Sequence, residues 1–221
     1  MPSPVFEPPA GYLDMLGDAE TGPFSDRWVD LAVPDVGVVV ARRPRPAAIA
    51  WLAMSVNEDA TPLERSEFSA RFTQSHIGVG EWERLNTAMM DDGAPEDAIE
   101  LVTRALATWG TARPHQTVLN LALNTAYLWR TIRLQFVLAG HRDPMDLPHM
   151  HIVLDATEKL LVESTTDEET RDALYGRLYP PPPAEVRVVN GKRKLAKPPP
   201  GFSPEEMAAS WRAWTSAQTA G

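Results

Sequence analysis

Residues 116–139 constrain this chain more than any other stretch. Apolar side chains recur there at helical spacing for about six turns. Val118, Leu121, Ala122, Thr125, Leu128, Ile132, Phe136 and Ala139 line one stripe. Leu119, Leu123, Tyr127, Leu134 and Val137 widen it. A band that broad faces more than one neighbour, so the fold must be built around this helix. Gly140 ends it, and Asn120, Asn124, Arg130 and Arg133 interrupt its greasy surface. It is therefore a core helix and not a membrane span, and no other stretch is long and apolar enough to cross a bilayer.

Punctuation upstream predicts more helices. Pro46 suits a first turn, and residues 47–56 place Ile49, Leu52, Ala53 and Val56 on one face. Thr61, Pro62 and Glu64 form a capping-box start, in which hydroxyl and carboxylate each satisfy a free backbone N–H. Leu63, Phe68 and Phe72 carry that helix to His76; Gly78 and Gly80 break it; residues 81–90 form the next, with Trp82, Leu85, Met89 and Met90 inward. Pro95 opens a fourth, whose face is Ile99, Val102, Leu106 and Trp109, and Gly110 stops it. Downstream, residues 148–164 and 167–178 predict two further helices, the first with Ile152, Val153, Leu160 and Leu161 inward. Pro180 to Pro183 then stop regular structure.

The expected class is mainly α. Residues 1–37 read as an acidic, mostly irregular arm, 38–113 as one helical unit, and 114–179 as a second. Residues 180–221 read as a Pro-rich basic linker with a short terminal helix. The only β-like run is 36–41, a lone edge strand or an extended lead-in. Phe202, Met207, Trp211 and Trp214 share one face of the terminal helix and are the candidate partner-binding residues. That helix is too short to be stable alone, so it either folds back or docks into another protein.

Charge and composition narrow the function. The 221 residues carry a net charge of −9 and no cysteine. The acidity argues against nucleic acid as a partner, since phosphates need cations. The missing cysteine excludes disulfides, thiolate nucleophiles and cysteine-held metals, and it fits a reducing cytoplasm. No secretion signal is read at the start. Seven acids against one base fill residues 1–36, and five bases against one acid fill 184–202. Solvated tails of opposite sign explain this, and so would docking of a charged partner or of one tail on the other.

No residue set stands out for chemistry, and no catalytic, cofactor or metal residues are assigned. Gly78-Val79-Gly80 lacks the Lys and Ser/Thr of a phosphate loop, and Glu81 and Glu83 would repel an anion. His149, His151 and Asp155 could suggest a metal, but no Glu fills the general-base position, and surface or capping roles explain them. Asp91-Asp92 and Glu168-Glu169 read as caps and solvated faces.

Two segments carry a resemblance: Ala41-Arg42-Arg43-Pro44-Arg45-Pro46 and Ala107-Thr108-Trp109-Gly110-Thr111-Ala112-Arg113-Pro114. With Trp129-Arg130-Thr131-Ile132-Arg133, Asp143-Pro144-Met145-Asp146-Leu147-Pro148, Leu154-Asp155, Leu178-Tyr179-Pro180 and Pro198-Pro199-Pro200-Gly201-Phe202, the chain resembles tail assembly chaperones of long-tailed phages that infect actinobacteria. The resemblance covers residues 38–202 and leaves out the acidic arm. It implies a non-enzymatic protein of the host cytoplasm, absent from the mature virion. Its implied partners are the tape measure protein, which it coats, and the tail tube protein, which it helps recruit; a homo-oligomer is a further option. It also implies short and long forms made by a programmed ribosomal frameshift. The alternatives are a head–tail adaptor or minor tail protein of the virion, and a metal-dependent hydrolase using His149 and His151.

Overall fold

The computed structural model describes Met15, residues 27–141 and 143–180, and the backbone of 186–189 and 192–195. It divides into two compact units, residues 1–180 and 181–221.

The first unit opens with a hairpin that the sequence expectation missed. Strands β1 (Val29–Val33) and β2 (Gly37–Ala41) pair antiparallel, with Val29 opposite Ala41 and Leu31 opposite Val39. Pro34 and Asp35 form the turn, closed by the Val36 N–H donating to Val33 O at 3.2 Å. Asp35 has φ 63°, the left-handed position of a type II turn, and Gly37 follows at φ 98°. Val33, Val39 and Ala41 point inward and are buried; Val38 and Val40 point out. So 36–41 is not a lone strand, and part of the arm expected to be irregular is paired.

Helix α1 (Ala48–Ser55) is enclosed, with six of its eight residues buried. It packs against α2 (Pro62–Met90) and α4 (His115–Leu138). The capping box at Thr61 forms as expected: Glu64 N–H donates to Thr61 Oγ1, and Thr61 N–H to Glu64 Oε2. The expected break falls at Gly78 alone (φ 74°, ψ 165°), while Gly80 stays helical. Residues 62–90 are thus two helical segments meeting at a kink at Gly78, as the sequence break predicted, and are labelled together as α2. Helix α3 (Ala98–Ala107) follows, and Gly110 at φ 89° turns the chain toward α4.

Helix α4 is the hub, packing against α1, α3, α5 (His151–Glu163) and α6 (Glu168–Leu178). Nine of its residues are buried, including Trp129 and Ile132. Gly140 (φ 89°) ends it: its N–H donates to Val137 O and that of His141 to Phe136 O, the paired bonds of a Schellman stop. A 3-10 turn at Pro144–Asp146 leads to α5, and Asp167 caps α6 through the Thr170 N–H at 2.7 Å. The helices of 38–113 and 114–179 therefore share one core, joined through α4.

Two buried hydroxyl pairs tie helices together. Thr73 on α2 meets Thr103 on α3 at 2.5 Å, and Thr125 on α4 meets Thr157 on α5 at 2.7 Å. Each hydroxyl also lies within bonding distance of the carbonyl four residues back. Two hydroxyls have two protons for three contacts, so in each pair one donates to its carbonyl and the other across the interface.

In the second unit, β3 (Val186–Val189) and β4 (Lys192–Leu195) pair antiparallel. The expectation of a loose basic section is corrected here. The sequence carries Asn190-Gly191 between the strands, a strong hairpin signal that the surrounding bases obscured.

Candidate functional site

The two segments flanking the first helices meet in space. Arg43 lies over the Trp109 ring, 5.8 Å from its centre. Gly110 is favoured by its positive φ of 89°, and the Arg43 guanidinium lies close over it, where a Cβ would stand 2.8 Å from Nη2 and push that flexible side chain aside. Arg42 donates from its backbone to His76 O at 2.8 Å and from Nε to Ser75 O at 2.8 Å, and it covers Trp28. Pro44 O accepts from Met150 N at 3.1 Å. The segment 41–46 thereby bolts α2, the α3–α4 turn and the start of α5 to one another.

Arg113 makes a second brace. Its guanidinium reaches Asp155 at 2.6 Å and also bonds Glu158, which accepts from the Tyr179 hydroxyl at 2.5 Å. Arg113 and Glu158 are largely buried, while Asp155 stays exposed. Burial works against the Arg113 charge, but the bonds to Glu158 and Asp155 reverse that and hold it firmly protonated. Burial and the Glu158 bond push the Tyr179 hydroxyl up to about 12. Tyr179 directly precedes the proline run, so this brace fixes the point where the first unit ends.

The candidates for chemistry fall elsewhere. Among the described residues no group of three His, Asp or Glu is placed to hold a metal. Asp155 serves Arg113 instead of His151, and the His149 and His151 rings are 6.3 Å apart. His151 is buried, and burial, followed by Arg113, pulls its pKa down to about 4. Gly78-Val79-Gly80 forms the helix kink: a Cβ at Gly78 would sit 3.4 Å from the Trp28 ring. Asp91 and Asp92 close α2, and Glu168 and Glu169 occupy the first turn of α6. Phe202, Met207, Trp211 and Trp214 lie outside the described residues.

What the first unit does present is apolar surface. Tyr127, Leu134, Val137 and Leu138 on α4 are 52%, 57%, 50% and 77% exposed. Val38 and Val40 form a smaller patch on the outer face of the hairpin, and Leu63 and Met90 stand alone at the two ends of α2. The width of the α4 stripe was visible in the sequence, but which part would stay uncovered was not. That depends on where α1, α3, α5 and α6 dock.

The comparisons with known proteins divide the chain near the start of α4, within the first structural unit and not at its end. Residues 124–220 match the model of a family of unknown function. Neither a curated protein nor a solved structure matches the chain. Residues 5–114 match the model of a family described as phage tail assembly chaperone protein. That match takes in most of the acidic arm, which the sequence resemblance left out; the β1–β2 hairpin and the buried Met15 show that part of this region contributes to the core. Through residues 5–114 the chain belongs to the phage tail assembly chaperone family, and its role lies in the assembly of phage tails.

Proposed function

We propose that this protein is a non-enzymatic chaperone that coats the tape measure protein and brings tail tube subunits to it. It works in the host cytoplasm and leaves before the virion is complete. The observation that carries this reading is α4, which buries one face in the core and leaves apolar side chains on the other. Surface of that kind covers a greasy helical client. The net charge of −9 keeps such a coated complex from associating further. Asp155, the carboxylate weighed with His149 and His151 for a metal, bonds the Arg113 guanidinium.

Co-expression with the tape measure protein tests this. The tape measure protein should move into the supernatant and co-purify with this chain. A pellet with no recoverable complex contradicts the proposal, as does finding this chain in stoichiometric amounts in purified virions.

A further inference from the structure

Tyr127, Leu134 and Leu138 lie within about 40° of one another around α4, at 100° per residue, on the side opposite Thr125 and Trp129. Half-buried Leu123 extends the row, and Val137 borders it. From Tyr127 to Leu138 the row runs about 17 Å along the helix. Its spacing is that of a helix seam, with steps of four and seven residues. Of the exposed large apolar side chains among the described residues, four lie on α4, and three of these share this one face.

Its electrostatic setting is unusual for this chain. Helix α4 contains no Asp or Glu in its 24 residues, although the protein as a whole is strongly acidic. Arg130 lies beside the row and Arg133 further round, where it meets Asp143 at 3.5 Å. A guanidinium has five donors and serves more than one carboxylate. The α4 face of a second copy, docked on this one, would bring the same arginines and no acid of its own helix. An amphipathic helix with acids flanking its apolar stripe would complement both features.

We propose that the outer face of α4, centred on Leu134, is the docking surface for an amphipathic, acid-flanked helix of the client. This rests on the chaperone reading above and names the surface that would serve it. Leu134 and Leu138 supply the apolar contact, Tyr127 closes one end, and Arg130 sets orientation through charge.

The test uses the full-length chain and fluorescein-labelled synthetic peptides tiling the tape measure protein, read by anisotropy at several salt concentrations. Leu134→Asp with Leu138→Asp should weaken the best-binding peptide by roughly tenfold or more. Arg130→Glu should weaken it several-fold and flatten its salt dependence. Leu63→Asp with Met90→Asp, on α2, should stay within about twofold of wild type. Leu134→Gln with an unchanged melting curve guards against misfolding as the cause. Undiminished binding by the Leu134/Leu138 variant overturns the proposal while leaving the chaperone reading intact. So does a switch from dimer to monomer in that variant with client affinity unchanged, which assigns the row to a second copy. Failure of the wild-type chain to bind any peptide overturns the reading and the docking surface together.

Discussion

Helices α2 and α4 are the two long helices of the first unit, and they are used in opposite ways. Of the 29 residues of α2, Phe72, Thr73, His76, Ile77 and Leu85 are buried. Its exposed side is laced with ion pairs, Glu67 with Arg71 and Glu81 with Arg84. It bends at Gly78, beside the Trp28 ring. Helix α4 is shorter, buries nine residues, contains neither glycine nor proline, and still has apolar side chains to spare. A helix that only clads a core can finish its outside with charge. One that is apolar on two sides is a core element on one and an unfilled contact on the other.

That contrast can be broken from either helix. Trp129→Ala on α4 removes a fully buried ring at the hub and should cost about 3–5 kcal/mol, measured by urea unfolding. A loss below about 1 kcal/mol would deny α4 its central place. The α2 contact should answer to acid. Burial holds His76 neutral, its pKa pulled down to about 4 from the ordinary 6.5, against the Phe72 carbonyl that its Nδ1 reaches. Below pH 6.5 the unfolded chain takes up a proton that the folded ring refuses. Stability present above that pH should therefore fall toward pH 4, by up to about 3 kcal/mol, with His151 acting in the same direction. A His76→Gln variant with an unchanged slope would contradict this.

Gly78→Ala forces a side chain into a backbone region that only glycine occupies freely, and should cost roughly 1–3 kcal/mol. Stabilisation instead would mean that α2 prefers to straighten. Thr73→Val and Thr125→Val each leave a buried partner hydroxyl short of a bond and should cost about 1 kcal/mol. Adding Thr157→Val to Thr125→Val should cost less than the two singles together, which a double-mutant cycle reads. Smallest of all, Leu134→Gln should change stability by less than about 0.5 kcal/mol, because more than half of its side chain is already exposed in the free protein.

Much of this architecture was legible from local chemistry. The capping box at Thr61 and the stops at Gly110 and Gly140 each follow from one residue's backbone needs, and the structure places them within a residue or two of expectation. Misses arose where two segments decide jointly. Strand β1 was hidden because Asp30 and its acidic surroundings suggested an arm, though Pro34-Asp35 and Gly37 are a turn between two apolar runs. Gly80 fits a breaker as well as Gly78 does by composition; Trp28, fifty residues away, marks Gly78 as the one that bends. The site was the least legible. Arg43, Trp109, Arg113 and Tyr179 carried the family likeness but turn out to brace the interior. The open row on α4 emerges only once its neighbours have covered the rest of the helix.

The most direct test of the account is site-specific photocrosslinking in the co-expressed complex. A photoreactive residue at position 134 should give a covalent adduct with the tape measure protein, and the same residue at position 63 should not. Adducts from 63 with none from 134 would contradict the claim that α4 holds the client.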